Sequence, residues 1–379
     1  MKGISEEEVE IGIEQYATEG GGAGGRIRAS PEDFVVSEVL TNDARKLISK
    51  RGLGGFPLYV LRKSSTTTLE ALEEISREVG ASANVLGLKD KKALTFQFIS
   101  LRIRGEPRVE TVRRARFQAT CVAKTERPLK RSDLLGNFFR IRIRDFSGRD
   151  EDIWRIGELL DKGRLPNFFG PQRFGRDVPN HRIGEAIVKK NFSRAAEILT
   201  GRLLSEGDAL AALRRVPLRV RRLFVQAYQS FLFNKALSRV LSKTGELERR
   251  SALYVGKHPL LPYVDGTFLR SPTEVKDGLD PVPLLQLPGY SFRDKGDTYS
   301  RCTVEVMAEE GVTSRDFFVK EAQELSAEGG FRPACMVGWF KGARSEKTAE
   351  INFGLYSGCY ATTLLRELMK PESPSAAGF

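Results

Sequence analysis

The ten residues 137–146, NFFRIRIRDF, alternate strictly between two kinds of side chain. Successive side chains of a strand point to opposite faces, so Phe139, Ile141 and Ile143 share one face and Phe138, Arg140, Arg142 and Arg144 the other. Such a segment needs a sheet that is covered on one side only, which favours antiparallel pairing. The arginine face reads in two ways: as a solvated outer surface, or as a face for backbone phosphates.

Other segments extend this sheet. FVVSEVL (34–40) is β-branched and reads as a strand, with further strands near 58–62 and over 94–103. A helix is predicted over 66–79, with Leu69, Leu72, Ile75 and Val79 as its buried stripe and Gly80 at its end, and a second over 152–160. GGGAGG (20–25) lacks the Lys-Ser/Thr ending of a phosphate loop and reads as a mobile loop. From residue 166 to about 245 the texture turns helical, with a basic run, LRRVPLRVRRLF, at 213–224. Residues 250–300 are rich in Pro and Gly and read as irregular or short strands. Strand texture returns over 334–353, a helix follows at 361–370, and the tail PESPSAAGF reads as disordered. This order predicts an α+β fold with a mixed, mainly antiparallel sheet, interrupted by a large insertion. The first domain comprises 1–165 and 337–379, and the insertion 166–336.

Composition narrows the chemistry. Lys and Arg number 61 against 49 Asp and Glu, a formal charge of +12, which favours an anionic partner, nucleic acid before membrane. The four cysteines have no C-x-x-C spacing, and the two histidines, His181 and His258, lie outside any nucleophile motif. A His-rich metal site and a conventional Ser-His triad are therefore disfavoured. There is neither an apolar signal core at the N-terminus nor a run of 18 apolar residues. A cytoplasmic location is the expectation.

The turn GLKDKKA (87–93) runs directly into the strand that starts at Leu94. A lysine-rich turn is ordinarily solvated. Yet cations around a carboxylate favour its charged form, and an ionised carboxylate is what a nucleophile requires. LGLKDKKALTFQ (86–97) resembles the catalytic motif G-x-K-D-x-x-A-x-T-x-Q of the TruD family of tRNA pseudouridine synthases. SPEDFVVSEVL (30–40), LLGNFFRIRIRD (134–145), PNFFGPQRFG (166–175), QSFLFNKALS (229–238) and SGCYATTLLRELMK (357–370) resemble further family segments, in the family's order and along nearly the whole chain. IGIEQY and the glycine tract look closer to the archaeal branch.

The resemblance implies a pseudouridine-synthase catalytic domain with an inserted α+β TRUD domain. It implies isomerisation of uridine to pseudouridine in tRNA, at position 13 and also, in related members, in the anticodon loop. No cofactor, metal or protein partner is implied, and a monomer is favoured. Asp90 falls on the catalytic aspartate. Phe34 falls on the substrate-contacting phenylalanine of P-E-D-F, and Asn137 on the asparagine of G-N-x-F, whose amide can bond a uracil edge. Phe139 would pack against the target base, although alternation alone places it in the core. Tyr360 would line the uracil site. Arg28 would pair with Asp90, Lys89 would contact phosphate or orient the turn, and Gln97 matches the motif with a structural role. A uridine inside folded RNA must be flipped out and held by stacking. Arg140, Arg142, Arg144 and Arg173, with the arginines of 213–222, are the candidate phosphate contacts.

Two rivals differ in kind. A catalytically dead RNA-binding protein would have no need of Asp90. A glycosidase or nucleosidase would need a second acid close to the first, for which only Glu32, Asp33 and Glu38 are at hand.

Overall fold

The computed structural model describes residues 3–49, 55–175, 179–244, 282–336 and 338–379, with short strand pieces at 252–253, 263–264 and 269–270. Most of the 250–300 reading lies outside the described residues. Seven long strands form the spine of the main sheet, which has twelve strands among the described residues: β1 (Phe34–Leu40), β2 (Phe56–Lys63), β3 (Leu94–Leu101), β4 (Phe117–Thr125), β5 (Leu134–Arg144), β6 (Gly338–Ser345) and β7 (Thr348–Tyr356). Their spatial order is β6-β7-β5-β1-β3-β2-β4. The β1–β3 pair is parallel and the other pairs along this path are antiparallel. The sheet is thus mixed and mainly antiparallel, and with its helices gives an α+β fold.

Register decides which residues share a face. Val36 stands opposite Phe139 and Thr95, and Leu61 opposite Gln97. Helices cover this face at both ends. On α1 (Thr68–Val79), Ala71, Ile75 and Val79 pack on Tyr59, Leu61 and Ile99. On α2 (Asp150–Asp161) and a C-terminal helix (Ala361–Met369), Ile153, Ile156, Leu364 and Leu365 pack on Phe139, Ile141 and Phe353. Between the two helical layers lie β1 and β3, which carry the buried polar residues Glu38, Thr95 and Gln97 on this face. Arg140, Arg142 and Arg144 extend from the opposite face, as strand alternation requires.

A second hydrophobic core is built around one long helix. After α3 (Asn180–Val188), α4 (Phe192–Thr200) and α5 (Glu206–Arg215) comes α6 (Leu218–Thr244), whose buried residues include Phe224, Tyr228, Phe231, Leu232, Phe233 and Leu237. A helix apolar around most of its circumference must be surrounded; α3 packs on one flank and α7 (Thr298–Glu309) on another. The helix Ala361–Met369, α8, then packs into the core with Phe139, Ile141 and Phe353. No helix among the described residues is long and apolar enough to cross a membrane.

Four details depart from the sequence reading. On α1, Leu69 is 43% exposed, and Thr68 takes a buried place beneath residues 87–90, because its hydroxyl is hydrogen-bonded there. The glycine tract is packed rather than mobile: Ala23 N donates to Leu368 O at 2.8 Å, and at Gly22 (φ +81) a Cβ would lie 2.6 Å from Met369 O. Ile11 and Ile13, expected with the first domain, are buried in the core around α6, where Asn234 Nδ2 donates to Ile11 O at 2.9 Å. The tail 371–379 is folded into turns, with Ala377 buried and Ile27 N donating to Ala377 O at 2.9 Å.

Candidate active site

The turn that carries Asp90 fills the gap between the helical layers and is held from below by buried polar side chains. Gln97 Nε2 donates to Gly87 O at 2.8 Å. Thr68 Oγ1 donates to Gln97 Oε1 at 3.0 Å and accepts from Lys89 N at 3.1 Å. Lys63 Nζ donates to Asp90 O at 2.8 Å and Thr66 O at 3.1 Å. Burial pushes the Lys63 ammonium down to about 8, while the Asp90 charge opposes that shift. Lys89 Nζ bonds Glu38 Oε1 at 2.7 Å, with both side chains buried. Lys89 therefore anchors the turn, and its ammonium is not presented to a phosphate. Buried polar groups with hydrogen-bond partners rigidify their surroundings, and this network ties the turn to α1, β1, β2 and β3.

The Asp90 carboxylate itself is 36% exposed. Its Oδ2 accepts from Arg28 Nη2 at 3.0 Å and from Gln172 Nε2 at 2.7 Å. Gln172 arrives from the short 3-10 turn Pro171–Arg173. Thus the carboxylate is gripped by two residues distant from it in the chain. The Arg28 side chain is 6% exposed, and its Cζ lies 4.0 Å from the Phe34 ring centroid. Arg28 also has φ +57, a conformation that is uncommon for a side chain of this size and typical of functional positions.

The aromatic expectations are altered by this packing. Phe34 is 3% exposed and its ring is covered by the Arg28 guanidinium. Phe139 meets Phe34 edge-on at 6.2 Å and stacks on Phe353 at 5.0 Å. Phe34 and Phe139 are thus core aromatics that form the wall under Arg28. Asn137 Oδ1 is buried without a hydrogen-bond partner among the described residues. Tyr360 is half-buried at the other side of the junction, 6.2 Å from Phe169. Arg332 stacks 3.9 Å from the Phe169 centroid and donates to Asn167 O at 2.9 Å and Gly358 O at 2.7 Å. Burial pulls its pKa down, and neither it nor Arg173 forms an ion pair among the described residues.

The arginine face of β5 is not gathered at this site. Arg144 is committed to Asp33 through two hydrogen bonds of 2.8 and 2.9 Å, and Arg142 lies 3.5 Å from Glu350. Arg140 makes no ion pair among the described residues. Arg173 does stand at the junction, where it donates to Ser230 Oγ and Gln226 Oε1 at 3.2 Å each. In the 213–222 run, Arg221 pairs with Glu324 at 2.7 Å, and Arg214 and Arg222 bond main-chain carbonyls. Asp33 and Glu38 are occupied by Arg144 and Lys89, so the second acid a glycosidase requires is not offered by either. Among the described residues no group of three or more His, Cys, Asp or Glu is placed to hold a metal ion. Sequence reasoning passed over Gln172, Lys63 and Arg332. Gln172 had a signal, as the glutamine of PNFFGPQRFG; the other two had none.

Known proteins share this architecture. The family model TruD, tRNA pseudouridine synthase D, matches residues 10–205 and 199–368. A relative in Thermococcus onnurineus, named probable tRNA pseudouridine synthase D, is 31% identical over 94% of this chain and 97% of its own. One of the same name in Archaeoglobus fulgidus is 31% identical over 96% of this chain and 99% of its own. A crystal structure of a TruD protein from Methanosarcina mazei superimposes with a TM-score of 0.73 at 25% identity, covering 98% of this chain and 99% of that one. Fold and matches together define an enzyme of the pseudouridine synthase class, an isomerase. Within that class the chain belongs to the TruD family.

Proposed function

We propose that this enzyme converts uridine to pseudouridine in tRNA with Asp90 as its nucleophile, at position 13 and, as a further target, in the anticodon loop. One observation carries the assignment: Asp90 offers a part-exposed carboxylate whose Oδ2 is held by Arg28 and Gln172 while Oδ1 has no hydrogen bond among the described residues. A nucleophile needs such an accessible, oriented carboxylate. The bond from uracil N1 to the ribose breaks and one from C5 forms. The C5 hydrogen leaves as a proton and N1 gains one, so atoms and electrons balance without an oxidant.

The target nucleotide leaves its stack and enters the junction between the domains. The buried Asn137 amide oxygen accepts from a uracil N–H, and Tyr360 lines the base. Arg173 contacts an RNA phosphate, with Arg140 a more distant contact on the other sheet face. Arg28, Phe34 and Phe139 act beneath the substrate: Arg28 orients Asp90, and the two rings support Arg28. The working unit is a cytoplasmic monomer with tRNA as its partner.

Mapping pseudouridine in unmodified tRNA transcripts tests this, with wild type beside Asp90→Asn. Conversion at a discrete uridine by the wild type alone is expected. Equal conversion by both proteins would remove Asp90 from its role. Tight binding of tRNA with no conversion would favour an RNA-binding protein.

A further inference from the structure

Arg28 holds Asp90 with one end of its guanidinium and grips a distant part of the chain with the other. Nη2 reaches Asp90 Oδ2 at 3.0 Å, and Nη1 donates to Gly378 O at 2.6 Å. We propose that segment 371–379 is part of the catalytic apparatus, because the Gly378 carbonyl fixes Arg28 and through it orients Asp90. The inference rests on the assignment of Asp90 above.

Three observations support it. First, the Gly378 carbonyl is held in place. Ile27 N donates to Ala377 O at 2.9 Å, one residue before Arg28, and Gly378 N donates to Ser375 O at 3.2 Å. The segment is clasped farther back by Glu7, which accepts from Ser373 Oγ at 2.7 Å and Ser375 N at 3.0 Å. Second, the acceptor is a carbonyl. A dipole takes one guanidinium N–H while Nη2 stays on Asp90 Oδ2. Third, the position admits only glycine. Gly378 has φ +94, and a Cβ there would lie 2.2 Å from Ile27 O. A methyl group must therefore lift the segment off residues 27 and 28.

Arg28 touches the reacting carboxylate, and Gly378 acts through Arg28 as a positioning residue. Displacing a catalytic group by about 1 Å costs up to about a hundredfold in rate. The experiment measures kcat and KM on tRNA for Gly378→Ala, for a chain ended after Lys370 so that its new terminal carboxylate lies away from Arg28, for Arg28→Ala and for Gly378→Ala combined with Arg28→Ala, with Asp90→Asn as control. Ending the chain removes the carbonyl without adding a clash, which covers the case in which Gly378→Ala fails to fold.

Either change at Gly378 is expected to lower kcat about tenfold or more, with KM for tRNA within about twofold. The double variant is expected to be no slower than Arg28→Ala, since sites acting through one group are not additive. Wild-type kcat in the shortened chain would overturn the inference, as would a double variant slowed by the product of the single effects. If Asp90→Asn itself turned over, the assignment of Asp90 would fail. An inactive Asp90→Asn beside a fully active shortened chain would sink the role of Gly378 alone.

Discussion

Arg28 and Arg366 each hold carboxylates in this molecule, and the two clusters use the same chemistry to opposite ends. Arg366 bonds Glu8 and Glu367, and all three side chains are at most 4% exposed. Its guanidinium lies 4.1 Å from the Tyr16 ring centroid and also donates to Gln15 O at 3.1 Å. Glu367 Oε2 accepts from Ala17 N at 3.0 Å and Thr18 N at 3.2 Å. Burial pushes the Glu367 carboxyl upward, and the neighbouring Arg366 and Lys370 oppose that shift. This cluster is closed: it fastens the N-terminal segment to α8 and presents nothing to solvent. The Arg28 cluster has a buried cation and a carboxylate that is 36% exposed. A buried ion pair becomes a reactive site when one partner keeps an open side.

The largest expected contrast is kinetic. Asp90→Asn should remove turnover at a stability cost of about 1–3 kcal/mol, since the buried Arg28 guanidinium loses its counter-charge while an amide oxygen at residue 90 still accepts its hydrogen bond. Urea unfolding beside a tRNA assay checks this, and a large stability loss would make the Arg28 cluster structural like the other. Arg366→Ala is the reciprocal test. It leaves two buried carboxylates without their cation and should cost about 3–5 kcal/mol. The fraction that folds should keep wild-type kcat; a fall in kcat at full folding would break the comparison.

A third expectation concerns pH. His181 is buried between Phe174 and Phe231, and burial pushes its imidazole down to about 4. The unfolded chain takes up the proton near pH 6.5 and the folded chain does not. Stability is therefore full above about 6.5 and falls as pH drops toward 4, by up to about 3 kcal/mol. Unfolding midpoints measured over that range should flatten in His181→Phe, and an unchanged slope would assign the acid sensitivity to other groups. The smallest effect sharpens the catalytic side. Gln172→Ala removes one hydrogen bond from Asp90 and should lower kcat roughly tenfold, in line with about 1.5 kcal/mol for a bond to a charged group. Unchanged kcat would leave Arg28 as the only required grip.

Much of the architecture was legible because it rests on local periodicity. Alternation in NFFRIRIRDF set the faces of β5, and Gly80 ended α1 in the left-handed conformation. Asp90 stood out as a candidate through its motif. Leu69 shows the limit: helical periodicity admits a stripe rotated by one residue, and the hydroxyl of Thr68 settled the choice. The glycine tract and the segment 371–379 looked unstructured because they have few apolar residues. Their order comes from main-chain hydrogen bonds to distant residues, which leave no periodic trace.

The sequence by itself therefore determined most of the long strands, most helix limits and the family, and singled out the candidate aspartate, since each depends on residues near in the chain or on a contiguous motif. Only the tertiary structure decided what grips that aspartate. Gln172 is 82 positions away from Asp90, Arg28 is 62 away, and Gly378 is 350 away from Arg28. Contacts at such separations are selected by packing of whole layers, and no local pattern encodes which carbonyl a guanidinium will meet.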